Sequence, residues 1–367
     1  MKVAYLTLFQ FENNNGKHAR LNDIFDTLPK YDTNFEYKIF PLINDSGKIS
    51  LSSLGFDATD MWGSRWHNLE AALSFRGCLN DIISYGPDVL HVGTSRRAET
   101  LLAKIVSMKL DIPVVFGPNI GGWYPMRISK YWDGGLKKVF SNWSDYVSNA
   151  SALHINNPEN VFAFSEYHKL MIRSIWGHDE RITILPPAVH ERFHRDQCIS
   201  RDIDLLYVGD LSRQKGYNSF IKLLNNIDGD RELRVDIIGG EPNKKPVFNT
   251  IDIRYHGFIP RNNLPQYYNR SKLFICLSSD EMGPNTLIEA FSCGTPALVN
   301  DEVGLREYAK NGNAVFCDRD CPSDAAIALS EALDNIDELI NNAERASSRY
   351  DMSITFDRLT EVYRDVL

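Results

Sequence analysis

Two carboxylates carry the first hint of chemistry in this chain. Glu281 stands in a short polar stretch after the apolar run Leu273 to Leu277, and Glu289 follows with seven residues between them. The run reads as a buried strand. Beyond it, Leu287, Ile288, Ala290 and Phe291 fall on one face at helical spacing. Asn285 is expected to cap that helix, and Gly294 with Pro296 to end it. Open α/β sheets bind ligands where strands end and helices begin. A helix N-terminus there offers N–H groups and positive potential to phosphate. Carboxylates beside it accept hydrogen bonds from neutral hydroxyls, such as those of a sugar. Phosphate and hydroxyls together describe a nucleotide sugar. The plainer alternative is a loop acid and a solvated helix acid.

Elements of the right kind surround this stretch. Strand signals recur at Lys2–Phe9, Tyr37–Pro41, Asp88–Val92, Val114–Gly117, Ala152–Ile155, Val161–Phe164 and Ile182–Leu185. Helical patterns such as Ala98–Leu110 lie between them, so a parallel, helix-flanked sheet is expected. Pro186-Pro187 and an irregular charged run then suggest a linker over 191–202. The alternation restarts with Ile203–Val208, Leu233–Ile238, Ile251–His256, Lys272–Leu277, Pro296–Asn300 and Ala314–Cys317. The expected plan is an N-terminal unit over 1–190, the linker, and a second unit over 203–345. A C-terminal helix over 346–367 is expected to pack back on the first unit.

At 367 residues the chain is longer than one core usually holds. It is 43% hydrophobic and 24% charged, as soluble globular proteins are. Its 40 Lys+Arg against 48 Asp+Glu give a net charge of −8, against a nucleic-acid partner. No apolar run approaches the ~18 residues of a membrane span. The N-terminus reads as a core strand rather than a signal peptide, because no small-residue cleavage site follows it. The six scattered cysteines fit reduced thiols of a cytoplasmic protein, and their spacing suits no zinc site.

Several loops after strands could face a ligand. Glu12–His18 contains Gly16, where a backbone could approach closely, but no G-x-G-x-x-G fingerprint. His91–Arg97 carries Arg96 and Arg97, suited either to phosphate or to a solvated helix start. Gly117–Tyr124 carries Asn119 and Trp123, suited to a sugar-stacking surface or to a hydrophobic anchor. Gly121–Val147 interleaves aromatics with lysines. That pattern occurs in interfacial membrane helices, but packing against a core with Lys stems on the surface is preferred.

Glu281 to Pro296 reads E-M-G-P-N-T-L-I-E-A-F-S-C-G-T-P. It closely resembles the signature of family 4 of the retaining glycosyltransferases, often E-G-F-P-N-x-L-L-E-A-M-A-C-G-x-P. Val208-Gly209-Asp210-Leu211 with Lys215-Gly216 resembles the family's V-G-R-L-x-x-x-K-G. His256–Pro260, Leu264–Tyr268, Val303–Glu307, Ile184–Val189 and Pro87–His91 resemble further stations in order, so the likeness spans nearly the whole chain. It implies the GT-B architecture, two facing Rossmann-like α/β domains with parallel sheets and an interdomain cleft. It implies retaining transfer of a sugar from a nucleotide-diphosphate sugar to an acceptor hydroxyl, in glycan, glycolipid or glycoprotein-precursor synthesis. Neither metal nor cofactor is implied.

The resemblance assigns Lys215, Glu281 and Asn119 to catalysis. It assigns Gly16, Gly209, Arg213, Lys215, Glu281, Gly283, Pro284, Asn285, Thr286 and Glu289 to the donor. Within that set Lys215 meets the diphosphate, Glu281 the sugar and Glu289 the ribose. The acceptor, a sugar or a lipid-linked one, falls to the first domain near His91, Arg96, Arg97 and Trp123. A lipid-linked acceptor would suit a peripheral protein on the cytoplasmic face of a membrane, with Gly121–Val147 touching the bilayer. Two departures stand out. Asp210 replaces an arginine that normally shares the diphosphate with the lysine, which leaves Arg213 as a substitute. A first-domain histidine is also missing, and Asn119 is the polar group there. The rivals are a non-catalytic sugar-nucleotide binder and an epimerase or phosphorylase of similar fold.

Overall fold

A computed structural model describes residues 1–9, 27–28, 30–43, 63–93, 97–117, 147–185, 188–227, 229, 231–279, 281, 283–309 and 312–367. The chain forms two units. One comprises Met1–Leu185 with Phe356–Leu367, and the other Pro186–Thr355.

The first unit holds strands β1 (Lys2–Phe9), β2 (Glu36–Ile43), β3 (Val89–Val92), β4 (Val114–Phe116), β5 (Asn160–Ala163) and β6 (Ile182–Ile184). They pair in the order β2-β1-β3-β4-β5-β6, all parallel. Strands β3, β4 and β5 are buried throughout, as parallel strands covered on both faces must be.

Ala152–Ile155, expected as a strand, lies instead in a helix over residues 147–156. Asn149, Ala152, Leu153 and Asn156 are buried while Ile155 is exposed. That spacing is helical, and the apolar run had masked it. Asn156 Nδ2 donates to Ala152 O at 3.0 Å and to Thr100 O at 3.2 Å, tying this helix to the helix Arg97–Leu110.

The chain's last helix, Met352–Asp365, enters the first unit from Phe356 onward. Tyr31 Oη donates to Asp357 at 2.6 Å. Tyr363 is buried among Tyr37, His91 and Phe162. His91 Nε2 lies 2.7 Å from Gly117 O, and Nδ1 lies 2.5 Å from Tyr363 Oη. A carbonyl can only accept, so Nε2 carries the proton and Tyr363 donates to Nδ1. Burial pushes the His91 pKa down to about 4. His91, expected on the acceptor side, therefore has both ring nitrogens committed inside the core.

The second unit repeats the plan with β7 (Ile203–Val208), β8 (Leu233–Ile238), β9 (Ile251–Tyr255), β10 (Ser271–Cys276), β11 (Ala297–Asn300) and β12 (Ala314–Cys317). Its parallel order is β12-β11-β10-β7-β8-β9. Side chains alternate between two cores. Leu205, Tyr207, Leu273 and Ile275 face the helices Tyr217–Ile227 and Pro322–Asp334. Leu206, Phe274 and Cys276 face the helices Leu264–Arg270 and Asn285–Ser292. Residues 191–202, expected as a linker, lie within this unit. Arg195 Nε donates to Glu344 at 2.7 Å, and Asp196 N–H donates to Asn269 at 2.8 Å.

The His91 geometry makes stability depend on pH. Unfolded His91 takes up a proton near 6.5, whereas the folded ring resists protonation until about 4. Between those values the unfolded chain holds more protons, so stability falls as pH drops. Going from about pH 7.5 to about pH 5 should cost about 2 kcal/mol through this one group. Urea denaturation of His91→Gln should lose correspondingly less over the same interval, and an unchanged pH slope would contradict the assignment.

Candidate functional site

The strand order of the second unit reverses between β7 and β10: the chain runs outward through β8 and β9, then returns to the other side of β7. Crevices for ligands open at such a switch point, beyond the carboxyl ends of the strands. Lys215 follows β7 and Glu281 follows β10. The two loops meet there, and Lys215 Nζ forms an ion pair with Glu281 Oε1.

Backbone geometry forces the meeting. Gly216 adopts a φ of +79°, and a Cβ on it would stand 2.1 Å from Leu277 O. Only glycine lets the β7 loop lie directly on the end of β10. Ser279 N–H then donates to Gln214 O at 2.8 Å, stitching the two loops together. Asp210, where the resemblance leads one to expect arginine, shapes the loop instead. Its Oδ1 accepts from Ser212 N–H at 3.1 Å, and its carbonyl accepts from Tyr207 Oη at 2.7 Å. This is an Asx turn, a local job that a long cation could not do. Arg213 is exposed on the same loop.

Burial works against the charge of Lys215, but the adjoining Glu281 carboxylate outweighs it and raises the pKa above the ordinary lysine range. The ammonium is therefore fixed and charged. The helix Asn285–Ser292 begins four residues after Glu281. Pro284 occupies the cap position and makes no side-chain bond, so Asn285 is the first helical residue rather than the expected cap. The helix closes its first turn with Ile288 N–H to Pro284 O at 3.1 Å. It ends at Cys293, and Gly294, at φ +67°, follows as the expected stop.

Glu289 is buried on this helix and is not a solvated acid. Arg261 donates to its Oε1 from Nε at 2.9 Å and from Nη2 at 2.8 Å. Tyr268 Oη donates to Oε2 at 3.0 Å. Burial, and next the Glu289 charge, raise the Tyr268 pKa well above its ordinary value, so the phenol stays protonated and donates. The Arg261 guanidinium lies 5.0 Å from the centre of the Phe193 ring. Arg261 was not marked in the sequence. The one available signal was a cation shortly after the glycine turn His256-Gly257 and just before the Leu264–Tyr268 segment.

Gly209, Arg213, Lys215, Glu281, Gly283, Pro284, Asn285, Thr286 and Glu289 thus belong to loops and a helix of one unit. Gly16, Arg96, Asn119 and Trp123 lie outside the described residues, as do the Arg97 side chain and nearly all of Gly121–Val147. No helix among the described residues is long and apolar enough to cross a membrane.

Arg261→Ala would leave Glu289 buried without its cation, which costs about 3–5 kcal/mol. Adding Glu289→Gln removes the stranded charge and should recover part of that loss by urea denaturation. A double variant no more stable than Arg261→Ala would contradict the pairing.

Comparison with known proteins agrees with this geometry. The family description "Glycosyl transferases group 1" matches residues 190–349. A Klebsiella pneumoniae protein, "Uncharacterized 41.2 kDa protein in cps region", is 24% identical over 125 residues, 33% of this chain and 34% of that one. The match therefore spans about a third of that relative. Sucrose-phosphate synthase from Thermosynechococcus elongatus superposes with a TM-score of 0.75 at 12% identity, covering 99% of this chain and 98% of that one. Anabaena HepE in complex with UDP-glucose superposes at 0.70 with 15% identity over the full length of both chains. These likenesses give the chain the two-unit Rossmann-like GT-B fold, and its residues 190–349 resemble the group 1 glycosyl transferases.

Proposed function

We propose that this protein is a family 4 glycosyltransferase that moves a sugar, with retention, from a nucleotide-diphosphate sugar to an acceptor hydroxyl. The observation that carries the reading is the charged Lys215 held against Glu281 at the switch point, with a helix starting four residues after Glu281. A sugar–diphosphate bond breaks with negative charge gathering on the leaving diphosphate. A cation and helix N–H groups fixed there stabilise the transition state more than the ground state. Lys215 and the start of the helix Asn285–Ser292 take that role, in place of a metal ion. The HepE complex contains UDP-glucose, and its shared fold supports a donor of this class.

In this reading the donor diphosphate draws Lys215 away from Glu281, which frees Glu281 for the sugar hydroxyls. Glu289 receives the ribose hydroxyls. The backbone at Gly209, Gly283 and Pro284, and the first-turn residues Asn285 and Thr286, line the sugar and its phosphate. An acceptor of sugar or lipid-linked type, a place in glycan synthesis and a cytoplasmic setting go with the same reading. Asp210, committed to its turn, favours one alternative, a protein that binds sugar nucleotides without turning them over.

The test is nucleoside-diphosphate release from UDP-, GDP- and ADP-sugars, with and without an acceptor pool. Release should require acceptor, and Lys215→Ala should lower its rate on the order of 10²–10³-fold with little loss of folding stability. Binding of a sugar nucleotide without any release would favour the non-catalytic alternative. Full activity in Lys215→Ala would refute the role given to the lysine.

A further inference from the structure

Beneath the Lys215–Glu281 pair lies a row of side chains that no motif marks. At the carboxyl end of β12, Arg319 turns inward, and its side chain is only 10% exposed. Its Nη1 donates to Leu277 O at 2.9 Å and to Gln214 O at 3.2 Å. Leu277 follows β10 and leads to Glu281, and Gln214 immediately precedes Lys215. Asn300, buried at the end of β11, continues the row. Its Nδ2 donates to Ser278 O at 3.0 Å, and its Oδ1 accepts from Arg319 N–H at 3.3 Å. At the carboxyl edge of β12-β11-β10-β7, Arg319 thus contacts both loops of the site directly, and Asn300 joins it to the β10 loop.

These carbonyls need such a partner. Leu277 O and Ser278 O lie past the ladder, where strand carbonyls lose their sheet donors, and Gln214 O has a second lone pair beside the one that Ser279 N–H occupies. Left alone, they would hold negative potential under the place that must attract an anion. A guanidinium answers both needs, because its fork can donate to two separated carbonyls at once. A lysine keeps the charge on a single pivot.

We infer that Arg319 is a positioning residue. By holding Gln214 and Leu277 together it fixes the spacing of Lys215 and Glu281, and so the affinity for the diphosphate. The diphosphate part rests on the proposed function, whereas the spacing part does not. Arg319 touches neither sugar nor phosphate and acts only through the two loops.

Two measurements on the full chain test it. In the ligand-free protein, Arg319→Ala should speed hydrogen exchange of the amides in 212–216 and 277–281 about tenfold, the loss of one charge-assisted bond. The β8 amides Val235–Ile238 should be unchanged. In calorimetric titration, UDP or GDP should bind Arg319→Ala about tenfold more weakly, while UMP or GMP changes little, since only the diphosphates reach Lys215. Arg319→Lys, which keeps the charge and one bond, should fall between on both scales. Unchanged exchange in the two loops would overturn the inference, as would equal weakening of mono- and diphosphates. A wild type that binds none of these nucleotides would refute the proposed function, and the exchange result would still decide the positioning role.

Discussion

An ammonium and a carboxylate leave water together only when the surrounding chain makes their meeting unavoidable, because desolvation opposes both. In this protein a close backbone contact makes it so. The Gly216 turn rests on Leu277 O with no room for a side chain. That contact fixes where the β7 loop crosses the end of β10, and the Lys215–Glu281 pair follows from it. The reversal of strand order, the alternating cores and the helix Asn285–Ser292 all serve to keep those two strand ends side by side.

The two glutamates that looked alike in the sequence occupy opposite situations. Glu281 sits at the rim of the site with one cation, a partner that a ligand can exchange. Glu289 is buried with an arginine fork and a tyrosine, and both of its oxygens are engaged. The first is placed to trade partners when a ligand arrives, the second to stay in place. A fixed, ionised acceptor is what recognition of neutral hydroxyls requires, since an unpaired buried carboxylate would tend to protonate instead. Within the first unit, His91 shows the same principle turned to structure. Its ring joins Tyr363 of the last helix to Gly117, holding chain ends distant in sequence in one core.

Much of this was legible in the sequence. Apolar alternation marked all twelve strands of the described residues to within a residue or two, and the spacing from Glu281 to Pro296 marked the loop and helix of the site. Ala152–Ile155 misled because a run of small and apolar residues suits a buried strand and a buried helix equally, and only burial at 149, 152, 153 and 156 separates them. Asn285 misled because Pro284 already fits the cap position. Arg261 and Arg319 were illegible for a different reason. Their partners lie 28 and 105 residues away in sequence, and nothing in their own neighbourhoods departs from an ordinary surface cation. Pairing across a sheet edge is a property of topology rather than of local pattern.

Whether the second unit grips a nucleoside diphosphate through Lys215 at the β7–β10 switch point is tested most directly by a crystal structure of the full chain with UDP or GDP. Phosphate oxygens should lie within hydrogen-bond reach of Lys215 Nζ, ribose hydroxyls should lie on Glu289, and Arg261 should still pair with Glu289. A nucleotide bound elsewhere, or a diphosphate turned away from a lysine still paired with Glu281, would contradict that grip.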